Sequence, residues 1–364
     1  MNTFPLKSLT IDEAKEKQFA LVNEITKVFS GRDVLSRGDL GVVMGLNQPI
    51  TTHKVEQVLA NFFNVDSVML VRGSGTMAIR MAIHSFFDKP GTILVHDASI
   101  YPTTKTTLNM LQLNIITANF NNRKELQDVL TNNNIDAALI QVTRQKPDDS
   151  YSLNQVIDDI SIYSPNTKIV TDDNYSALKT AKIGVELGAD ISCFSTFKLL
   201  GPEGIGCIAG KKIYIDKLRS ENYSGGLQVQ GHEAMDVLRG MIYAPVALAI
   251  SATVVEDVCE RLNNHEINGV SEAYIANAQS KVLIVTLEKD NAELVLKEAE
   301  KLGAAPNPVG AESKYEFVPM FYRVSGTFRA MDPIKSKRQI RINPMRCGAE
   351  TVMRILHESI KNAN

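Results

Sequence analysis

The sequence has no cysteines at metal-binding or redox spacing. Its four cysteines, Cys193, Cys207, Cys259 and Cys347, stand alone without a CxxC pair, so neither a zinc site nor a disulfide framework is indicated. It has no charge excess. The 39 Lys and Arg nearly balance the 41 Asp and Glu, for a formal net charge of -2, which argues against a nucleic-acid partner and against an acidic solvating tail. The opening stretch "MNTFPLKSLTIDEAKEKQFALV" is broken by charge every few residues and lacks the apolar core of a secretory signal. No run approaches the ~18 consecutive apolar residues of a membrane span. There is no internal repeat and no low-complexity tract. The expectation is a cytoplasmic protein with no membrane partner.

What is present is enough apolar material for a sizeable core. The chain has 364 residues, 44% of them apolar, which suits two domains. After a glycine-rich loop, "GRDVLSRGDLGVVMGLNQP", the segment "TTHKVEQVLANFF" has helical spacing, opened by threonines suited to capping. Short apolar strands then alternate with helices, from "VDSVMLVRG" to "KIVTDDN". That order predicts an α/β fold with a mostly parallel sheet between helices, its strands buried on both faces. "ADISCFSTF" and "GIGCIAG" are separated only by "KLLGPE", too short for a crossover helix, so they are expected to pair antiparallel. A long helix from Gly231, interrupted at Pro245, reads as a connector. A strand–helix–strand–helix set follows, from "SKVLIVTLE" to "AETVMRILHESIKNA", as a small second α/β domain.

In open parallel sheets, ligands sit at the carboxyl ends of strands. Four features fall there. "VRGSGTMAIR" is a strand, a glycine turn and a helix start, a geometry that offers free N–H groups to a phosphate. Gly73 and Gly75 allow close approach, and Ser74 and Thr76 add hydroxyls. Asp172 and Asp173 end an apolar strand, where strand alternation turns one of them toward a site. Lys198 lies between an apolar approach and a glycine-rich run, where desolvation would free a nucleophilic amine. Arg341 alternates with Ile340 and Ile342, free to look across a cleft at a carboxylate. Each has a plain alternative: a simple turn, a helix cap, a surface lysine, a solvated strand face. Their order carries the reading, because a phosphate turn, an aspartate at a strand end, a lysine and a small-domain arginine describe a pyridoxal phosphate site.

The chain resembles the fold type I pyridoxal-phosphate-dependent enzymes over nearly its whole length. "TDDNYSAL…GADISCFSTFK" is similar to the cystathionine lyase-like segment, and the resemblance assigns Asp173 to the pyridine nitrogen, Ser195 to the phosphate and Lys198 to the cofactor aldehyde. "LIQVTRQK" is similar to a stretch of the aluminium-resistance proteins of that group, which implies Arg144 at the cofactor face. "STFKLLGPEGIGCIAGKKIYIDKLR" is closer to the selenocysteine synthase-like branch, and the nearest resemblance is to an uncharacterised bacterial pyridoxal-phosphate-dependent group. By the same resemblance Ser74, Gly75 and Thr76 hold the phosphate, and Tyr101 stacks on the ring, with His96 as the competing stacker. Arg341, with Arg144, binds the substrate, although Asn343 replaces the serine of the family's C-terminal run. Phe197 stands where cysteine desulfurases carry histidine, and Cys347 reads as a half-buried cysteine rather than a sulfur carrier.

The implied organisation is an N-terminal segment (1–50), a large cofactor-binding domain (51–255) and a small C-terminal domain (256–364). Within the last, "GAESKYEFVPMFYRVSGTFR" brings Glu312, Lys314, Arg323 and Arg329 together as a solvated surface or a lid. The implied activity is that of a pyridoxal-phosphate-dependent enzyme on an amino acid or related amine. Lys198 holds the cofactor as a Schiff base and takes the Cα proton, and loss of a β-substituent makes a lyase. An aminotransferase on the same scaffold, a non-catalytic cofactor-binding homologue and a nucleotide-binding protein using "RGSGT" are the other readings. A homodimer or dimer of dimers is implied.

Overall fold

The continuous apolar runs form one sheet of seven strands: β1 (Ser67–Arg72), β2 (Thr92–His96), β3 (Asn114–Ala118), β4 (Ala137–Gln141), β5 (Lys168–Asp172), β6 (Ile191–Ser195) and β7 (Ile205–Gly210). In this computed structural model, which describes residues 3–277, 281–310, 312–326, 329 and 332–363, the strand order is β1-β7-β6-β5-β4-β2-β3. β7 runs antiparallel to both its neighbours, and the other pairings are parallel. The connection between β6 and β7 is too short to cross over, as the sequence implies. All the co-directional strands therefore end on one edge.

Helices cover both faces. The connecting helices are α3 (Ser74–Ser85), α4 (Pro102–Met110), α5 (Arg123–Asn132) and α6 (Leu153–Tyr163). A separate layer holds α1 (Ile11–Val28), α2 (Ile50–Phe63) and α8 (Gly231–Asn263), with α7 (Lys212–Glu221) following β7. Phe63 of α2 and Phe194 of β6 are fully buried and meet edge-to-face at 5.7 Å. Burying such a ring contributes roughly 1.5–3 kcal/mol.

Two expectations about helices are corrected. The threonines of α2 do not cap it. Asp39, from the preceding loop, accepts from the N–H groups of Ile50 (2.7 Å) and Thr51 (2.9 Å). Nor does Pro245 interrupt α8, which runs unbroken through that residue with Pro245 buried. α8 is apolar and long enough by composition to span a bilayer, yet 56% of its most apolar window is buried inside the fold, against both sheets' layers.

The second sheet has four strands, β8 (Val270–Ala276), β9 (Val282–Leu287), β10 (Met320–Arg323) and β11 (Gln339–Asn343), all antiparallel in the order β10-β11-β9-β8. It is richer than the two strands legible in the sequence. α9 (Ala292–Lys301), α10 (Ala349–Asn362) and the end of α8 pack on one face, against Leu283, Val285, Ile340 and Ile342. The opposite face carries Tyr274, Ala276, Val282 and Ile284 and turns toward the large sheet's carboxyl edge.

Candidate active site

A cavity of about 280 Å³ opens between that face and the ends of β1, β4, β5 and β6. Six of the expected residues line it: Ser74, Gly75, Thr76, Tyr101, Arg144 and Lys198, joined by Arg341 from the small sheet. Two do not. Ser195 stands just behind, its hydroxyl 2.7 Å from that of Ser74.

Asp173 is the second, and it is a correction. β5 ends at Asp172, and alternation sends that side chain into the cavity. Asp173 points the other way. It is 0% exposed, accepting from the Thr171 hydroxyl (2.5 Å) and the Gly184 N–H (3.1 Å). Among the described residues no cation stands beside its charge, and burial pushes its carboxyl up to about 6. The paired aspartates of "TDDN" shift the alignment by one residue, which the resemblance alone does not detect.

Asp172 is fixed by Asn174, whose Nδ2 (2.7 Å) and backbone N–H (3.0 Å) both donate to Oδ1. Burial pushes its carboxyl above the usual range, opposed by those bonds and by the Lys198 charge. Asn174 also accepts from the Ser195 N–H at 2.9 Å, tying the ends of β5 and β6 together.

Lys198 follows β6 in a short 3-10 turn, Thr196–Leu199. α8 presses on the turn's exit at Gly240, where a Cβ would lie 2.5 Å from the Leu200 carbonyl carbon. Burial lowers the proton affinity of Lys198, and Asp172 works against it. Among the described residues its ammonium faces the Tyr175 ring at 4.1 Å and makes no ion pair. That is the setting of an amine held for chemistry rather than for a surface.

At the phosphate end, Gly73 (φ +99) and Ser74 (φ +60) turn the chain into α3. Their own N–H groups bond the Gly204 carbonyl at 2.7 and 2.8 Å, leaving Gly75 and Thr76 in the first turn, where helix N–H groups lack intrahelical acceptors. Tyr101, 59% exposed, sits at the cavity's edge at the start of α4. His96 is absent from this wall. It is 7% exposed, held by Asp149 (2.9 Å) and the Phe120 N–H (3.1 Å).

The guanidinium of Arg144 is steadied by backbone carbonyls, those of Tyr151 (2.7 and 3.1 Å) and Phe4. Arg341 donates to the Arg323 carbonyl at 2.8 Å and lies 4.1 Å from the Tyr322 ring centre, while its neighbours Ile340 and Ile342 enter the small core. The Cys347 thiol lies outside the cavity, bonded to the Pro344 carbonyl at 2.9 Å and pushed up to about 11 by burial. Sequence reasoning missed Asn174 and Tyr175. The polar residues directly after the strand-end aspartates were the available signal.

The expected cluster in "GAESKYEFVPMFYRVSGTFR" is dispersed. Glu312 is buried against Lys179, Arg323 pairs with Glu293 on the surface at 2.8 Å, and Lys314 lies near the Tyr315 ring. Arg329 is exposed, and the residues flanking it, 327–328 and 330–331, lie outside the described residues.

The donor set fits pyridoxal phosphate. A carboxylate and an unpaired lysine in one cavity match its ring nitrogen and aldehyde, while two hydroxyls and an open helix end match its phosphate. The fit also depends on glycines. A Cβ at Gly75 would stand 2.6 Å from Asn174 Oδ1, and one at Gly206 2.3 Å from the Ser74 carbonyl oxygen.

Comparison with known proteins agrees. Residues 45–284 match the aminotransferase class-V family, and residues 256–356 match the YhfS-like C-terminal domain. The chain is 51% identical over 361 residues to the uncharacterized protein YhfS of Escherichia coli (strain K12), covering 99% of each. The crystal structure of the pyridoxal-5'-phosphate-dependent protein YhfS from Escherichia coli superposes with a TM-score of 0.97 at 50% identity, covering 100% of both chains. At the level of fold alone, a cystathionine gamma lyase from Micromonospora echinospora superposes with a TM-score of 0.74 at 14% identity, covering 94% of this chain and 98% of that one. A Listeria monocytogenes protein assigned as a cystathionine beta-lyase involved in aluminium resistance also reaches 0.74, at 16% identity, covering 97% and 95%. A family match across more than half of the chain, and half-identity along its full length to a pyridoxal-phosphate-dependent protein, place this chain in the aminotransferase class-V family of fold type I enzymes, with pyridoxal 5'-phosphate as cofactor.

Proposed function

We propose that the protein acts on an amino acid or closely related amine, removing the Cα proton and expelling a β-substituent. Pyridoxal phosphate supplies an aldehyde that condenses with amines and a ring that accepts the electrons released at the adjacent carbon. The observation that carries the proposal is Lys198 beside Asp172 in a half-open cavity. Lys198, with its amine free, would take the Cα proton, since burial favours its neutral form. Asp172 would take over the role expected of Asp173 and hold a proton on the ring nitrogen. Ser74, Gly75, Thr76 and Ser195 bind the phosphate, and Tyr101 covers the ring. Arg341 orients the substrate carboxylate from the small sheet, with Arg144 on the opposite wall.

Elimination is favoured over transamination by the likeness of residues 139–200 to the lyase-like segment. The named activities of the structural neighbours point the same way. We assign a homodimer or dimer of dimers. Its support is the exposed apolar loop containing Leu40 and Met44, the latter 100% exposed, which Asn47 ties to the exposed Tyr223.

The test is incubation of the loaded enzyme with a panel of amino acids, following ammonia and keto acid. Elimination releases both without a second keto acid. Turnover that depends on an added keto acid makes the protein an aminotransferase, and unconsumed substrates across the panel overturn the enzymatic reading.

A further inference from the structure

The loop residues 307–310 and 312–316 are built against the rear of the lysine site. Glu316 closes it on itself, accepting from the N–H groups of Val309 (2.5 Å), Gly310 (2.8 Å) and Ser313 (2.8 Å). Its outer part rests on Phe197, the residue before Lys198. A Cβ at Gly310 would stand 2.3 Å from the Phe197 ring, and Tyr315 meets the same ring edge-on at 6.0 Å. The Tyr315 hydroxyl bonds Glu203, just beyond the lysine turn.

The inner part reaches further. Glu312, in the left-handed region at φ +97, forms an ion pair with Lys179, and both side chains are buried. Lys179 Nζ lies 5.1 Å from the centre of the Tyr175 ring, and Lys198 Nζ lies 4.1 Å from that same centre. One tyrosine thus carries two buried ammonium groups. Lys198 lines the main cavity, whereas Lys179 lines a separate small one beside α8.

We propose that Lys179, kept in place by Glu312, is a positioning residue for Lys198. It holds Tyr175 against the reactive amine and sets a standing positive charge behind it, so that seating of the small-domain loop is felt at Lys198. The inference rests on the reading of Lys198 as the reactive amine. A like charge nearby disfavours a second protonation, and burial lowers the proton affinity of both lysines. The charged and titratable groups facing this pair are Asp172 from the end of β5, Tyr175 from the turn after it, Glu312 from the loop, Arg346 from the turn after β11, and Arg341 and Tyr322 from the small sheet beyond Tyr175. Of these, Asp172 favours the charged form of Lys198, and the two ammonium groups across Tyr175 disfavour each other, the Lys198 charge helping to lower the proton affinity of Lys179.

The experiment is trace acetylation of the folded full-length protein, stripped of cofactor so that the Lys198 amine is free, with acetic anhydride across a pH series, reading Lys198 by peptide mass spectrometry. In Lys179→Met the pH of half-maximal labelling is expected to rise by about one pH unit, the order set by one charge at this range in a protein interior. Lys179→Arg keeps the charge and should stay at the wild-type midpoint. Glu312→Gln takes away the carboxylate facing Lys179, so that buried ammonium releases its proton and the Lys198 midpoint rises as well. It also gives the answer should Lys179→Met not fold. A Lys198 midpoint unchanged in the folded variants reduces the pair to a structural ion pair and overturns the proposal. A shifted midpoint in a protein that fixes no cofactor on Lys198 would instead sink the proposed function and leave the coupling standing.

Discussion

An aspartate one position further along a strand looks the opposite way, and in "TDDN" that single step separates a site residue from a structural one. Asp172 reaches the cavity, and Asp173 closes a buried network with Thr171 and Gly184. Replacing Asp172 by Asn should therefore lower turnover on the order of 10²–10³-fold, the usual loss for one preorganised electrostatic group, while Asp173→Asn keeps turnover near wild type. The same pair differs in stability. Burial pushes the Asp173 carboxyl up to about 6 in the folded chain, above its ordinary value of 3.8. Between those values the folded chain holds a proton that the unfolded chain has lost. Asp173 thus costs little stability below about pH 4, an increasing amount as the pH rises from there, and its full penalty above about pH 6. Asp173→Asn should consequently gain on wild type by about 1 kcal/mol in going from pH 5 to pH 8, measured by denaturant unfolding. Alternation alone told that only one of the two aspartates could face the site. Which one depended on where β5 stops, and a one-residue boundary is beyond a sequence pattern.

At the scale of elements, the large sheet was legible because its strands are short apolar runs bounded by turns and separated by helical spacing. The small sheet was half legible. β8 carries Ser271 and Glu272 beside a register shift between Val270 and Glu272, and β10 has only four residues, so neither shows a clean alternation. α1 was missed although its start carries a readable capping box, Thr10 accepting from the Glu13 N–H (3.2 Å) and Glu13 from the Thr10 N–H (2.8 Å). The most function-bearing junction is that of β7 with α3. Gly206 lets the strand lie directly under the Ser74 carbonyl, which a Cβ would approach to 2.3 Å. Gly206→Ala should therefore cost about 1–3 kcal/mol of stability, as overpacking does. It should also weaken cofactor retention on dialysis, because the atoms that must move are those of the phosphate end. Unchanged retention in a folded Gly206→Ala protein would remove Ser74 and its turn from the phosphate site.

Taken whole, the molecule places a four-stranded sheet over the carboxyl edge of a seven-stranded one, and the residues lining the cavity come from both. The large sheet contributes a phosphate turn, a carboxylate and a lysine. The small sheet contributes Arg341 and, through the loop ending in Glu316, the contacts behind Lys198. This division explains why the cofactor-facing half of the site could be read in the sequence and the rear of it could not. Strand ends announce themselves locally, whereas the Lys179–Glu312 pair joins residues 133 positions apart with no pattern to connect them. It also leaves two buried lysines at one tyrosine, so the identity of the cofactor-bearing amine is a question with a direct answer. Reduction of the loaded enzyme with sodium borohydride, followed by proteolysis and mass spectrometry, fixes the cofactor to the amine that holds it. The expected result is a single modified peptide carrying the cofactor on Lys198. Modification of Lys179 or any other lysine, or none at all, would contradict the assignment of this site.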